Sequence, residues 1–239
     1  MTTSTRVAAG LLTGLLAVSG LTACSGDDGG GGDAAAWDDA GAKAKELLDG
    51  TSGIEVSIST GDDPGVDYLS AATGTIVADP PGFEGKVSGK VSGFGVTDVP
   101  VISVDDTLWI NHPLLGGWSD RFKAEELCAP DPATLLSPDS GVSNVLTTST
   151  DVEAGEAERG GADNKDVFRT YSGKATGDAI REILPCAEGD SFDATYRVDG
   201  DGYLRTARLT GVFFPDAEEV TYTIDVTEYD VTKDISAPE

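Results

Sequence analysis

Chemistry, if this chain performs any, must come from few side chains: its 239 residues include three Cys, one His and one Met. His112 is the only imidazole and sits in Asn111-His112-Pro113, just after the apolar run Leu108–Ile110. A Ser-His-Asp triad would need it beside an exposed nucleophile, and no GxSxG elbow is present. It reads as a loop histidine at a strand end. A zinc site would need more than one His or free Cys, and Asp199-Gly200-Asp201-Gly202 lacks the ligand spacing of an EF-hand loop. Gly85-Lys86-Val87-Ser88-Gly89-Lys90 contains no GxxxxGK[ST] and lies within a strand pattern rather than before a helix. Glu153, Glu156 and Glu158 read as a solvated face. No catalytic residue, metal or cofactor is therefore expected, and the chain is not read as an enzyme.

The cysteines say more. Met1–Arg6 carries one positive charge, Val7–Gly20 is an apolar run too short to span a bilayer, and small residues follow. The run ends in Leu21-Thr22-Ala23-Cys24, which resembles the lipobox of bacterial lipoproteins. That resemblance implies cleavage before Cys24 and acylation of its thiol, with several acyl chains giving a stable membrane anchor. Residues 1–23 are thus expected to be a lipoprotein signal peptide. Residues 24–36, with Gly29–Gly32 among them, read as a lipidated Cys and flexible tether, and 37–239 as one domain. Cys128 and Cys186 remain, an even pair outside the cytosol. They either form a disulfide closing a long loop or stay as two buried free thiols. No CxxC spacing supports a redox role.

With 42 acidic against 16 basic residues, the chain has a formal charge of −26. Such a surface repels nucleic acid and anionic head groups. Glycine, at 31 residues, is abundant and aromatic residues make up 7%, so few large side chains are available to fill an interior.

The elements that must carry these residues read as helix, sheet, helices, sheet. Trp37, Ala40, Ala44, Leu47 and Leu48 recur at helical spacing, with Asp38 and Asp39 near the expected start and Gly50 as a stop. Ile54, Val56 and Ile58 then alternate with polar residues. Further strand-like runs fall at Tyr68–Ala78, Phe83–Val91, Val99–Val104 and Leu108–Ile110, separated by turns too short for parallel crossovers. Asp131-Pro132 and Ser137-Pro138 read as helix starts. Strands return at Val167–Tyr171, Phe192–Val198, Tyr203–Phe213 and Val220–Val226, with a short helix over Thr176–Leu184. About nine or ten strands predict an α+β domain, one antiparallel sheet covered on one face. In Phe83–Gly95 one parity carries only Gly and Val after Phe83. This leaves two readings: apolar volume under the helices, or close packing with glycine serving curvature.

The stretch Asp131-Pro132-Ala133-Thr134-Leu135-Leu136-Ser137-Pro138-Asp139-Ser140-Gly141-Val142, then Val145-Leu146-Thr147, resembles the "DPA-LL-PD-GL-LL" segment of the mycobacterial LppX, LprA, LprF and LprG lipoproteins. Tyr171-Ser172-Gly173, Leu184-Pro185, Asp201-Gly202-Tyr203-Leu204-Arg205 and Ala237-Pro238 match in the same order. The first helix, Trp37–Leu48, departs from the family in being short. The resemblance implies an α+β fold, a curved antiparallel half-barrel with helices packed on its concave face around an apolar cavity. It implies a protein that binds acylated lipids or glycolipids there and carries them from the inner membrane towards the outer envelope. It also implies attachment to the outer face of the cell membrane, facing the periplasm and cell wall, and a major-facilitator efflux transporter as partner. The expected lining is Ile54, Val56, Ile58, Val87, Val91, Ile102 and Val104 on the sheet, with Leu135, Val142, Val145, Leu146, Ile180 and Ile183 on the helices. The alternative is a membrane-anchored interaction or scaffold module with a packed core and no lipid.

Overall fold

A computed structural model describes residues 29–161 and 163–238. Eleven strands form one antiparallel sheet that is curved and unclosed. In chain order they are β1 (Gly53–Ser59), β2 (Tyr68–Ala78), β3 (Pro81–Val91), β4 (Phe94–Val104), β5 (Thr107–His112) and β6 (Gly117–Ser119). After a long crossing come β7 (Thr150–Gly160), β8 (Asp166–Thr176), β9 (Ser191–Asp199), β10 (Leu204–Gly211) and β11 (Val220–Tyr229). Each run is a meander, and β1 pairing with β11 joins them, so the sheet reads β6-β5-β4-β3-β2-β1-β11-β10-β9-β8-β7. Register gives the sheet two ends. Ile54, Ile76, Phe83, Leu204 and Tyr229 lie at one, the Ile54 end; Ser59, Tyr68, Val91 and Gly211 lie at the other, the Ser59 end.

Three helices cover one face, here called the inner face. α1 (Gly29–Asp49) buries Trp37, Gly41, Ala44 and Leu48, a stripe at helical spacing. It starts at Gly29, so the last part of the expected tether is helical, and Asp38 and Asp39 sit mid-helix on its exposed side rather than in its first turn. α2 (Ser143–Thr148) begins later than Ser137-Pro138 suggested. The chain before it is folded tightly instead: Gly141 N–H donates to the Ser137 carbonyl at 2.7 Å, and Val142 N–H to that of Leu135 at 3.0 Å. A Cβ at Gly141 would come within 2.5 Å of the Leu135 carbonyl, so the path is open only to glycine. α3 (Gly177–Ile183) falls where expected, with the Thr176 hydroxyl accepting from Ala179 N–H at 3.4 Å.

Two strands escape the sequence pattern. β6 is three residues long, and β7 is an edge strand whose Glu153, Glu156, Glu158 and Arg159 are all exposed. Register irregularities between Thr150 and Glu153 and between Ala154 and Ala157 break its alternation, leaving Val152 as its buried anchor. On the opposite face the C-terminal tail lays Ile235 against Val77 and Val104, making a small second core.

Candidate functional site

The inner face divides into two unlike halves. Over β8–β11 it is aromatic and filled. Trp37 stacks on Tyr196 with centroids 4.9 Å apart and planes at 11°, and meets Tyr171 at 5.1 Å. Phe192 packs on Phe213 at 4.7 Å, and Phe213 edge-on to Tyr222 at 5.1 Å. Two of these rings have partnered hydroxyls. Tyr196 Oη and Ser149 Oγ share a hydrogen bond of 2.8 Å, and Tyr222 donates to the Leu69 carbonyl at 2.6 Å. Burial pushes the Tyr196 phenol up to about 12, against a smaller opposing effect of the Ser149 hydrogen bond. Burial raises Tyr222 and Tyr229 as well.

Over β1–β5 the inner face is built from aliphatic and small residues, and its cover is irregular chain. The turn Pro132–Thr134 is fixed near the Ile54 end, where Ser103 Oγ donates to Asp131 Oδ1 at 3.0 Å. The same carboxylate caps the turn, accepting from Ala133 N–H at 3.1 Å. Beneath it the glycines are not empty. A Cβ at Gly74 would lie 2.7 Å from Phe83 Cε2, and one at Gly85 would meet the same ring. Phe192 likewise lies over Gly211. At Gly74, Gly85 and Gly211 the room is taken by phenylalanine rings, which favours the close-packed one of the two readings at these positions.

One stretch of this face stays half-covered. Val99, Val87, Ala72, Ile58, Ile224 and Ala207 are successive cross-strand partners on β4, β3, β2, β1, β11 and β10. They form an unbroken apolar row across six strands. Val99, Ala72 and Ala207 are buried, while Val87, Ile58 and Ile224 remain partly open to solvent. The row lies nearer the Ser59 end, away from the anchored turn.

Of the expected lining, Ile54, Val56, Leu135, Val145, Leu146 and Ile180 are buried in the main core, and Ile58, Val87, Val142 and Ile183 pack half-buried against it. Three positions need correction. Val91 has the inner parity but projects past the cover at the β3–β4 tip and is 43% exposed. Ile102 and Val104 point to the opposite face, where Val104 packs with Val77 and Ile235 and Ile102 lies against that cluster. Both parities of Val99–Val104 are apolar, so alternation could not choose between them; Val99 and Val101 are the inward ones. The sequence reading also passed over Ala72 and Ile224, whose parity in their strands was available as a signal.

Cys24 lies outside the described residues. Cys128 and Cys186 are bonded, with Cα atoms 5.5 Å apart. The bond ties the irregular cover of β1–β5 to the segment following α3, which covers the aromatic half. His112 is a turn cap, its Nδ1 accepting from Leu114 N–H at 3.2 Å. Asp199 Oδ1 accepts from the N–H groups of Asp201 and Tyr203, and Oδ2 from Arg205 at 2.7 Å. Among the described residues, no three His, Cys, Asp or Glu side chains gather as metal ligands. Two open hollows lie away from the inner face. One of about 550 Å³ is on the opposite side of the sheet among Glu55, Thr75, Glu84, Lys86 and Trp118. Another of about 520 Å³ lies beside α1 and α2 at Ala42, Asp49 and Thr147.

The described residues form an open antiparallel sheet with helices over one apolar face. It is the fold of LprF from Mycobacterium bovis, with a TM-score of 0.67, 14% identity, and coverage of 86% of this chain and 98% of that one. The lipoprotein LppX from Mycobacterium tuberculosis is also similar, with a TM-score of 0.60, 15% identity, and coverage of 84% and 99%. Residues 34–236 match the model of the LppX_LprAFG lipoproteins, and the chain belongs to that family. No curated protein sequence matches it.

Proposed function

We propose that this is an exported, lipid-anchored protein that holds the acyl chains of a lipid or glycolipid against the half-covered row of its inner face. The anchor is Cys24, on the outer side of the cell membrane facing the periplasm and cell wall. The observation that carries the reading is the row Val99–Val87–Ala72–Ile58–Ile224–Ala207: apolar, uncharged, continuous over six strands and incompletely covered. Acyl chains need only such a surface, and each buried CH₂ contributes about 0.8 kcal/mol. Phe83 and the Pro132–Thr134 turn fill the neighbouring space, so a guest enters by displacing irregular chain rather than helix. Family membership supports the lipoprotein class. Passage of the lipid from the inner membrane outward, with hand-over to or from a major-facilitator efflux transporter, completes the proposal. No side chain acts as catalyst in it.

Organic extraction of protein purified from an actinobacterial host, followed by mass spectrometry, tests this. Acyl lipid in excess of the Cys24 anchor is expected, in amounts comparable to the protein. A clean extract supports a second reading, a membrane-anchored interaction module. The filled aromatic half, with Trp37 stacked on Tyr196, favours that reading.

A further inference from the structure

We propose that the β3–β4 hairpin tip, together with Leu114, docks into the acyl boundary of a lipid bilayer. Four large apolar side chains stand exposed among the described residues: Val91, Phe94, Leu114 and Val167. Val91 and Phe94 form the tip at the Ser59 end of the sheet, and Leu114 lies towards the same end. Val91 pairs with Phe94 across the turn Ser92-Gly93, so their side chains share a face, and Phe94 is 76% exposed. The turn residues have φ of 51° and 77°, the positive-φ geometry whose twist suits a two-residue hairpin. The Asp67 carboxylate accepts from the N–H groups of both, at 2.9 Å from Gly93. The tip is thus built to hold its apolar pair outward. Leu114, 90% exposed, follows β5, which runs antiparallel to β4 with Ile110 opposite Val101 and so ends on the same side. Val167, second in β8, stands next to Phe168, which pairs with Asp199, and belongs to the Ile54 end.

Three observations make the occupant a bilayer. First, the chain leaves the structure toward this end. A Cβ at Gly202, in the β9–β10 turn of the Ile54 end, would touch Lys43 and Leu47 of α1. Trp37, ten residues back, stacks on Tyr196 in mid-sheet, so the helix start at Gly29 points toward the Ser59 end. Five residue steps separate Gly29 from Cys24, a reach of at most about 18 Å. An acyl group on Cys24 therefore brings the membrane to the same end; in this the inference rests on the anchored reading above. Second, the inward parity of the tip is continuous with the half-covered row. Val91 and Phe94 lead through Val96 to the Val87–Val99 pair, a path from bilayer to inner face. Third, the tip itself, Val91–Phe94, carries no charge. The carboxylates placed beside it, Asp67 on the turn N–H groups and Asp98 next to the Ser88 hydroxyl, outnumber the neighbouring Lys90, so the tip has no basic cluster to draw anionic head groups and suits a zwitterionic surface.

The test uses the full chain anchored through Cys24 in phosphatidylcholine vesicles containing brominated acyl chains, with Phe94→Trp, Leu114→Trp and Val167→Trp made separately. Read as the difference from the parent chain, whose Trp37, Trp109 and Trp118 also emit, side chains seated roughly 5–10 Å into the interface should give blue-shifted emission at 94 and 114, quenched at least about twofold more than at 167. Equal quenching at all three positions, or none at 94 and 114, overturns the docking. A blue shift without quenching overturns it too, by showing a protein partner on the tip. Lipid extraction of the same preparation separates the two proposals. A quenched tip on lipid-free protein keeps the docking and removes the carrier reading; an unquenched tip on loaded protein does the reverse.

Discussion

The two halves of the inner face use the same device, glycine beneath a ring, under different covers. Over β8–β11, Phe192 lies on Gly211 and the whole is roofed by α1, α2 and α3 through stacked rings. Over β1–β5, Phe83 lies on Gly74 and Gly85, but the roof is a string of short turns held by the Ser103–Asp131 hydrogen bond and the Cys128–Cys186 bond. A helix docked by aromatic area is costly to lift. A turn tied at two points can shift between them. The firmer cover lies over β8–β11, and the half-covered row that the proposal gives to a guest crosses beside it from β4 to β10.

The sharpest way to break it is Trp37→Ala, which removes the ring joining α1 to Tyr171 and Tyr196. A loss of about 3–5 kcal/mol is expected in urea denaturation; a change under about 1 kcal/mol would show that α1 is no firmer a roof than the turns. Replacing both Cys128 and Cys186 by Ser opens a loop with a sequence separation of 58. It should cost about 4 kcal/mol in the chain-entropy model, with the excess amide exchange confined to residues 120–142. Gly74→Val collides with the Phe83 ring and with backbone at Gly85, and should cost about 1–3 kcal/mol in the same assay.

Alkaline titration probes the aromatic half alone. The unfolded Tyr196 ionises near pH 10 and the folded one near 12. Its contribution is therefore full below pH 10 and declines from there to about pH 12, at about 1.4 kcal/mol per pH unit. Tyr196→Phe should flatten that slope, with Tyr222 and Tyr229 leaving a remainder of the same sign. The smallest effect on stability, under about 1 kcal/mol, is expected for Val87→Trp, since the site is half-open. Yet this change should lower the extractable lipid severalfold; undiminished loading would move the guest off the proposed row.

How much of this was legible follows from how the signals arise. Strands such as β1 and β9 alternate because one face is covered and the other wet, so period and turn residues were enough. β7 hid because an edge strand with irregular register buries little beyond Val152. Ile102 and Val104 misled for the opposite reason: a tail from the far end of the chain places Ile235 on the other face, making both parities apolar. Val91 had the right parity and the wrong environment, because alternation reports facing and says nothing of where a cover stops.

The sequence by itself determined the class of elements, the antiparallel order within each meander and the absence of GxSxG, CxxC and P-loop spacings. Those depend on residues close in the chain. Only the tertiary structure decided that β1 joins β11, that Cys128 meets Cys186, and that rings fill the space above the glycines. Each of those is a contact between distant segments, set by which surfaces exclude water together rather than by any local preference. The same holds for the exposed tip at Phe94, which falls between the strand-like runs Phe83–Val91 and Val99–Val104 and which only the fold places at an uncovered hairpin turn.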